Sequence, residues 1–527
     1  MTVIDDLKMF ARFATRIRRF VRRPLDLEQA QRLIQERIAK REQNFLRLME
    51  LAVFGHPPSP YLQLYRWADC GLEDLRKMVQ ERGLDASLQA LREAGVYLTF
   101  EEFKGRVPIQ RHGKELRVGP ADFFNPYLRS VYESETGGST GAGTRIPHDL
   151  DHLGMQAAQQ MLTQEAHGVL GLPTAIWCGV LPDGAGVNYV LRAAHTGHLP
   201  RAWFSHMPVL EANTEFLKQR LATLFIVAAC KLNGIAVPWP RTLSLDRAVH
   251  LARWVDSTVR QHGACLVNTT VSRGLRLSVA AREAGIDLTG ATFRVSGEPV
   301  TAAKARGIES SGARFYSSYA QSEAGRLGEG CARPTDSTDV HLLEGFCAMV
   351  QCRREVPGWD RVVPAFYLTT LLPEAPILML NTELDDYGVL EKRECGCLLG
   401  ELGMKTHLRG IHSFSKLTGE GVTLVGSDMV RILEEVLPAH FGGSPLDYQL
   451  QEEEDADGLT RLTLVIDPRV PIPDEGQVLA VVMKALDQGG PMSAVAGMTW
   501  KLAGSLRVRR AAPVWTARGK LMTLRSA

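Results

Sequence analysis

Between Phe123-Phe124-Asn125-Pro126-Tyr127 and Pro147-His148-Asp149 runs the stretch Thr136–Arg145, T-G-G-S-T-G-A-G-T-R. Four glycines, one serine and three threonines in ten residues cannot fill a core. Without β-carbons at Gly137, Gly138, Gly141 and Gly143, backbone N–H groups can approach a ligand closely, and the hydroxyls of Ser139, Thr140 and Thr144 add donors for phosphate oxygens. The stretch therefore reads as a phosphate loop, with a flexible surface turn as the alternative. No Gly-Lys-Ser/Thr follows, so it is not a Walker A loop. It also lacks the G-x-G-x-x-G spacing of a dinucleotide fold.

The chain has 527 residues, 45% of them hydrophobic and 23% charged, which is enough to build a large core and two or three domains. A formal charge of +2 gives no argument for nucleic acid, and no apolar run approaches a bilayer-spanning length. Nine cysteines without a signal-peptide pattern read as reduced thiols or metal ligands, so the expected compartment is cytoplasmic.

Along the chain, residues 4–23 form a basic amphipathic helix, with Phe10, Phe13, Ile17, Phe20 and Val21 at helical spacing and Lys8, Arg12, Arg16 and Arg19 on the other side. It is expected to pack on its own domain with a solvated basic face, the alternative being an anionic membrane or partner. A helix capped by Asp26 is expected from Gln29 to Leu51, and two shorter ones within residues 73–94. From about residue 150 helices alternate with short apolar runs. Cys265–Val271 and Ala291–Val295 read as strands with ligand loops at their ends, which argues a mixed or parallel sheet.

Three separated stretches together resemble the adenylate-forming enzymes, and within them the phenylacetate-CoA ligase-like branch. Gly138-Ser139-Thr140-Gly141 resembles the G-T-T-G core of the family's phosphate loop. Ser296-Gly297-Glu298-Pro299 resembles its turn against adenine. Tyr319-Ala320-Gln321-Ser322-Glu323 resembles its Y-G-x-(S/T)-E segment, which implies a ring near adenine, a hydroxyl at Ser322 near phosphate and a magnesium-holding carboxylate at Glu323. Asn381-Thr382-Glu383-Leu384-Asp385-Asp386-Tyr387-Gly388, expected after a strand at Ile377–Leu380, resembles the stretch whose aspartate takes the ribose hydroxyls. Asp386 is the choice, with Asp385 next.

The family's hinge should fall at 408–416, but G-R-x-D-D is replaced by Arg409-Gly410-Ile411-His412-Ser413-Phe414, leaving Arg409 as a ribose or phosphate contact. The tail Pro513–Leu521 resembles the closing motif that carries a catalytic lysine, here Lys520. A cation on a mobile loop can bridge the attacking carboxylate and the α-phosphate as pyrophosphate leaves. Cys395-Gly396-Cys397, with Cys331 and His341 upstream, has the donor chemistry of a structural zinc site, and some relatives of the branch carry such residues in the same places. Ordinary buried or free cysteines are the alternative.

The resemblance implies an α/β chain. A helical lead-in at 1–100 and an adenylate-forming domain with mixed sheets and helices at 101–408 make up its large N-terminal part, followed by a smaller mobile α+β domain at 409–527. It implies an acid–thiol ligase using ATP and magnesium, which activates an aryl or acyl carboxylic acid to an acyl-adenylate and passes it to coenzyme A. Transfer to an amine or a carrier-protein thiol is the second reading, and a nucleotide-binding protein without turnover is the third. Trp177, Trp203, Phe204, His206 and Met207 are candidates either for the acid pocket or for ordinary core, and His195 and His198 for the site or for solvent.

Overall fold

The computed structural model describes residues 3–22, 24–135, 145–209, 217–355, 362–413, 416–419, 422–425, 429, 431–443, 447–488, 491–514 and 524–526. Gly138, Ser139, Thr140, Gly141 and Thr144 of the glycine-rich stretch, Phe414 and Lys520 lie outside the described residues.

Helix α1 (Val3–Val21) buries the stripe its sequence sets out. Phe13 and Ile17 are fully enclosed and Phe20 nearly so, packed with Val190, Ile226 and Val227. Each such side chain contributes about 2 kcal/mol. Its basic face is partly engaged by the same domain, because Arg16 pairs with Asp149 and Asp151 and Arg12 donates to the Ser130 carbonyl. Helix α2 (Leu27–Ala39) starts in a capping box, Asp26 accepting from the Gln29 amide at 2.8 Å. The single helix expected through Leu51 is instead two, broken at Lys40 and followed by Arg41–Met49 and a π-helical turn at Glu50–Phe54. The break has a packing reason. Ala30 and Ile34 face one core and Phe45, Leu48 and Met49 another.

The main body is organised by a twelve-stranded sheet. Its strands in chain order are β1 (Thr174–Trp177), β2 (Ala202–Ser205), β3 (Pro240–Thr242), β4 (Cys265–Thr270), β5 (Ala291–Ser296), β6 (Arg314–Gln321), β7 (Gly325–Gly330), β8 (Val340–Leu342), β9 (Cys347–Glu355), β10 (Val362–Thr370), β11 (Thr382–Lys392) and β12 (Thr406–Ser413). Spatially they run β9-β10-β11-β12-β8-β7-β6-β5-β4-β1-β2-β3. The stretch from β3 to β6 is parallel, and from β6 to β9 it is antiparallel. The parallel strands are buried on both faces by helices. These include α3 (Leu150–Ala166), α4 (Ala185–Thr196) and α5 (Val271–Glu283), and they explain the unbroken apolar runs in the sequence.

Ile377–Leu380 is not a strand as expected; only an isolated bridge forms, Ile377 with Phe124. Side chains take over the backbone donors there. Met379 N–H bonds Thr370 Oγ1 and Leu380 N–H bonds Tyr61 Oη, both at 3.1 Å. The ladder resumes at Thr382, after Asn381 in a left-handed conformation (φ 44°).

A second, four-stranded sheet lies C-terminal. It comprises β13 (Tyr448–Glu454), β14 (Thr460–Ile466), β15 (Leu506–Arg510) and β16 (Leu524–Ser526), ordered β15-β14-β13-β16. Helices α6 (Glu475–Asp487) and α7 (Pro491–Ala503) complete its core, with Trp500 fully enclosed beside Val478 and Val482. Ahead of this sheet in the chain, a π-helical turn, Ile432–Val436, leads into a short helix, Leu437–Phe441. Residues 409–413 belong to β12 of the large sheet.

Candidate active site

A cavity of about 500 Å³ opens where the loops after β4, β5 and β6 meet β11 and helices α3 and α4. Ligands collect at strand ends in such sheets because the connections diverge there and leave backbone groups unpaired. Ser296, Gly297, Glu298, Pro299, Tyr319, Ser322, Glu323 and Asp386 all line it. Three separated stretches of sequence are thus brought to one space.

Each is held by identifiable contacts. The Glu298 carboxylate accepts from Ser272 N–H at 3.2 Å and from the Ser272 hydroxyl, at the first turn of α5, and lies 3.6 Å from the buried Lys304 ammonium. Negative charge at a helix start is favourable. Its role here is to pin the turn, leaving Gly297 (φ 85°) exposed toward the cavity. A bulge in the β6–β7 pairing at Tyr319/Ala320 re-aims the end of β6. Tyr319 Oη donates to Asp386 Oδ2 at 2.7 Å, and Gln321 Nε2 donates to the same oxygen at 2.7 Å. Burial and the Asp386 charge push the Tyr319 phenol well above its ordinary value, so it stays a donor.

Asp386 is separated from Asp385 by a second irregularity. The β10–β11 register shifts between Ala365 and Tyr367, and Asp385 takes a left-handed conformation (φ 65°). Asp386 consequently faces the cavity, where Ser413 Oγ also donates to it, whereas Asp385 is not among the lining residues. The Glu323 carboxylate is ion-paired with Lys104, which ends the short helix Phe100–Phe103. Glu383, beside it in the lining, is clamped by Arg354 and the Phe100 amide.

The hairpin Tyr132–Glu135 with Arg145–His148 brackets the glycine-rich stretch, and its residues Ser134, Glu135 and His148 line the same cavity. Ser134 Oγ and His148 Nε2 are 2.7 Å apart, and burial pushes the His148 imidazole down to about 3.

Arg409 is placed elsewhere. On β12 it forks onto Glu391 at 3.0 Å and reaches Asp336 at 3.3 Å, outside the cavity lining. Trp177 and Trp203 are core, fully enclosed, while His206 reaches the cavity. His195 stacks on Phe20 and is hydrogen-bonded to the Phe20 carbonyl, away from the cavity. The sequence alone does not mark six further lining residues as site residues: Gln156, Arg192, Asn268, Arg273, Arg294 and Arg326. Arg294 donates to Asn268 Oδ1 at 2.8 Å and pairs with Glu329 at 3.2 Å. The one available signal was arginine inside otherwise apolar strands, as in Ala291-Thr292-Phe293-Arg294-Val295.

Apart from the cavity, Cys331, His341, Cys395 and Cys397 offer ligand atoms that all lie within 4.8 Å of one another. His341 Nε2 is 3.1 Å from Cys397 Sγ, and its Nδ1 is 2.7 Å from the Met404 carbonyl, so Nε2 is the nitrogen that could coordinate a metal ion. His341 and Cys331 hold the Cys397 thiol well below its ordinary value, toward thiolate. Three sulfurs and one imidazole in this arrangement fit a closed tetrahedral zinc site.

No family model matches the sequence, and no curated protein matches it. Among solved structures, a 2-hydroxyisobutyryl-CoA ligase in complex with 2-HIB-AMP and CoA, in its thioesterification state, is similar at TM-score 0.54 and 16% identity, covering 93% of this chain and 90% of that one. The same ligase in a postadenylation state gives 0.45 at 14% identity over 96% and 91% of the two chains. The o-succinylbenzoate CoA synthetase of Bacillus subtilis gives 0.42 at 11% identity over 75% and 68%. On the first of these matches, the chain shares the two-part α/β fold of the adenylate-forming ligases, a large N-terminal body and a small C-terminal mixed sheet.

Proposed function

We propose that this chain activates a carboxylic acid with ATP to an acyl-adenylate, releasing pyrophosphate, and passes the acyl group to a thiol, that of coenzyme A. The observation that carries the reading is the convergence of Ser296–Pro299, Tyr319–Glu323 and Asp386 on one cavity whose far rim is the hairpin around the glycine-rich loop. A nucleoside triphosphate needs a carboxylate for its ribose, a polar turn for its base, donors for its phosphates and a carboxylate for magnesium.

Asp386, anchored by Tyr319 and Gln321, is oriented to accept both ribose hydroxyls. Gly297 and Pro299 present backbone to the adenine edge. Gly138 to Gly141, Thr144 and Ser322 would donate to phosphate. Glu323 would hold magnesium, whose charge offsets that on the departing pyrophosphate. Lys104 must leave Glu323 for that to happen. A substrate carboxylate oxygen attacks the α-phosphorus as the bond to pyrophosphate breaks, with Lys520 stabilising the charge that builds up. The C-terminal domain would then rotate, about a hinge placed after Ser413 rather than at Arg409, to withdraw Lys520 for thioester formation.

Acid-dependent exchange of labelled pyrophosphate into ATP tests this. Exchange with one class of acid, abolished in Lys520→Ala, supports the reading. Measurable ATP binding with no exchange over a broad acid panel would instead support a nucleotide-binding protein.

We also propose that Cys331, His341, Cys395 and Cys397 hold a structural zinc that ties the β7–β8 connection to the Cys395–Leu398 turn. Metal analysis should find one zinc per chain. Chelation should lower the unfolding temperature without changing the affinity for ATP; a metal-free protein of unchanged stability would dismiss the site.

A further inference from the structure

Part of the cavity lining carries a buried excess of positive charge. Arg192, Arg294 and Arg326 are all more than nine-tenths buried, and among the described residues only Glu329, fully enclosed, stands against them. Arg294 and Arg326 share that one carboxylate, at 3.2 and 2.8 Å. Arg192 has neutral partners, Gln160 Oε1 at 3.0 Å and Gln156 Oε1 at 3.1 Å. Arg326 keeps Nε and Nη1 without a hydrogen-bond partner, and its Nη2 meets Glu329 at an angle that makes an ion pair but no hydrogen bond.

Three guanidinium groups against one carboxylate leave two charges uncompensated in a place that water solvates poorly. Burial and mutual repulsion weigh on the charged forms, drawing Arg192 down to about 10 and Arg326 well below its ordinary value. Such an arrangement is costly unless an anion completes it. The neighbouring histidines do not add charge, because burial holds His148 and His152 neutral.

The lining divides by element. Glu298, Glu323, Glu383 and Asp386 belong to the turns after β5 and β6 and to β11, whereas Arg192 and Arg326 come from α4 and β7 and are linked through Gln156 of α3. Gln156 accepts from Arg192, and a β-carbon on Gly325, the residue before Arg326, would lie 2.4 Å from its amide nitrogen. An anion on the arginines is thus reached from the same cavity.

We propose that the acid activated here is a dicarboxylic acid, with one carboxyl group presented to the nucleotide and the other held by Arg192 and Arg326. This rests on the carboxylate-activating reading above, and the test separates the two. A planar guanidinium fork matches a carboxylate in bidentate fashion, and a site built around such a pair rejects an analogue lacking the charge, since the buried cations are then left unpaired.

The experiment compares succinate, glutarate, adipate and terephthalate with butyrate, valerate, hexanoate and benzoate. It measures pyrophosphate exchange and, separately, calorimetric binding to the whole protein. At least one diacid should exceed its monoacid partner on the order of a hundredfold. In Arg192→Gln and Arg326→Gln, each checked for a cooperative thermal transition, that ratio should fall toward one. The wild-type ratio needs no variant, so a misfolded substitution leaves the proposal exposed to refutation. Monoacids equal to diacids in both readouts, or a diacid preference that survives both substitutions, would overturn it, as would diacids that neither bind nor react. Diacid binding that is lost in the variants, with no exchange for any acid, would uphold the anion site and refute the activation reading.

Discussion

The two walls of the cavity are built by different means. The lining proposed for the nucleotide is a set of short contiguous segments, each carrying its own turn or strand end, with acidic groups fixed by hydrogen bonds: Glu298 by Ser272, Asp386 by Tyr319 and Gln321. The rest of the lining includes single residues from α3, α4, β5 and β7, with positive charge in excess. A contiguous segment can be fixed by chain geometry alone. A dispersed wall depends on packing of whole helices against the sheet, as where Gly186 of α4 lets the Trp203 ring approach so closely that a β-carbon would lie 2.5 Å from it. The first wall is suited to a constant ligand, the nucleotide; the second can be altered one residue at a time to suit a particular acid.

The comparison can be broken or sharpened in steps. Lys520→Ala should have the largest effect, lowering the rate of adenylate formation by on the order of a thousandfold while ATP binding persists, as for loss of a group that stabilises developing charge. Asp386→Ala should raise the KM for ATP by roughly ten- to a hundredfold, the loss of charge-assisted hydrogen bonds worth about 1.5–3 kcal/mol. It should leave discrimination between acids untouched; a change in acid preference would mean that the two walls are not separate. Lys104→Met removes the cation that competes for Glu323, and the magnesium concentration for half-maximal activity should fall by about tenfold at most, as for a partly buried ion pair.

A separate effect is on stability against pH. His148 and His152 have imidazole values brought down by burial to about 3 and about 4, from 6.5. Between those values and 6.5 the unfolded chain binds protons at these sites that the folded chain does not, so stability is full above 6.5 and declines as pH falls. Each histidine contributes about 1.4 kcal/mol per pH unit in that window. Urea titrations at pH 7 and 5 should show the decline, and His148→Gln, which cannot charge, should reduce it.

The uneven legibility of the sequence has the same physical origin as the contrast between the walls. Ser296–Pro299, Tyr319–Glu323 and Asp386 were readable because residue type and spacing within a few positions determine a turn or a strand end, and the capping of α2 by Asp26 was readable for the same reason. Which of Asp385 and Asp386 lines the cavity goes with a register shift in β11, which depends on the partner strand. Arg409 was expected near the nucleotide, but β12 continues through it and its own neighbours Glu391 and Asp336 hold it. The strand expected at Ile377–Leu380 gave way because Tyr61 and Thr370, distant in sequence, satisfy its amides. Arg192, Arg294 and Arg326 look like unrelated basic residues until the helices and strands that carry them are packed together.

The claim that the cavity joins a carboxylate to the α-phosphate of ATP is tested most directly by following oxygen. With a substrate diacid labelled with oxygen-18 in its carboxyl groups, and with acceptor thiol present, attack on the α-phosphorus leaves one labelled oxygen in the AMP released as the thioester forms. The account predicts that label in AMP and none in pyrophosphate. Label in inorganic phosphate, or AMP formed without it, would contradict acyl-adenylate chemistry at this site.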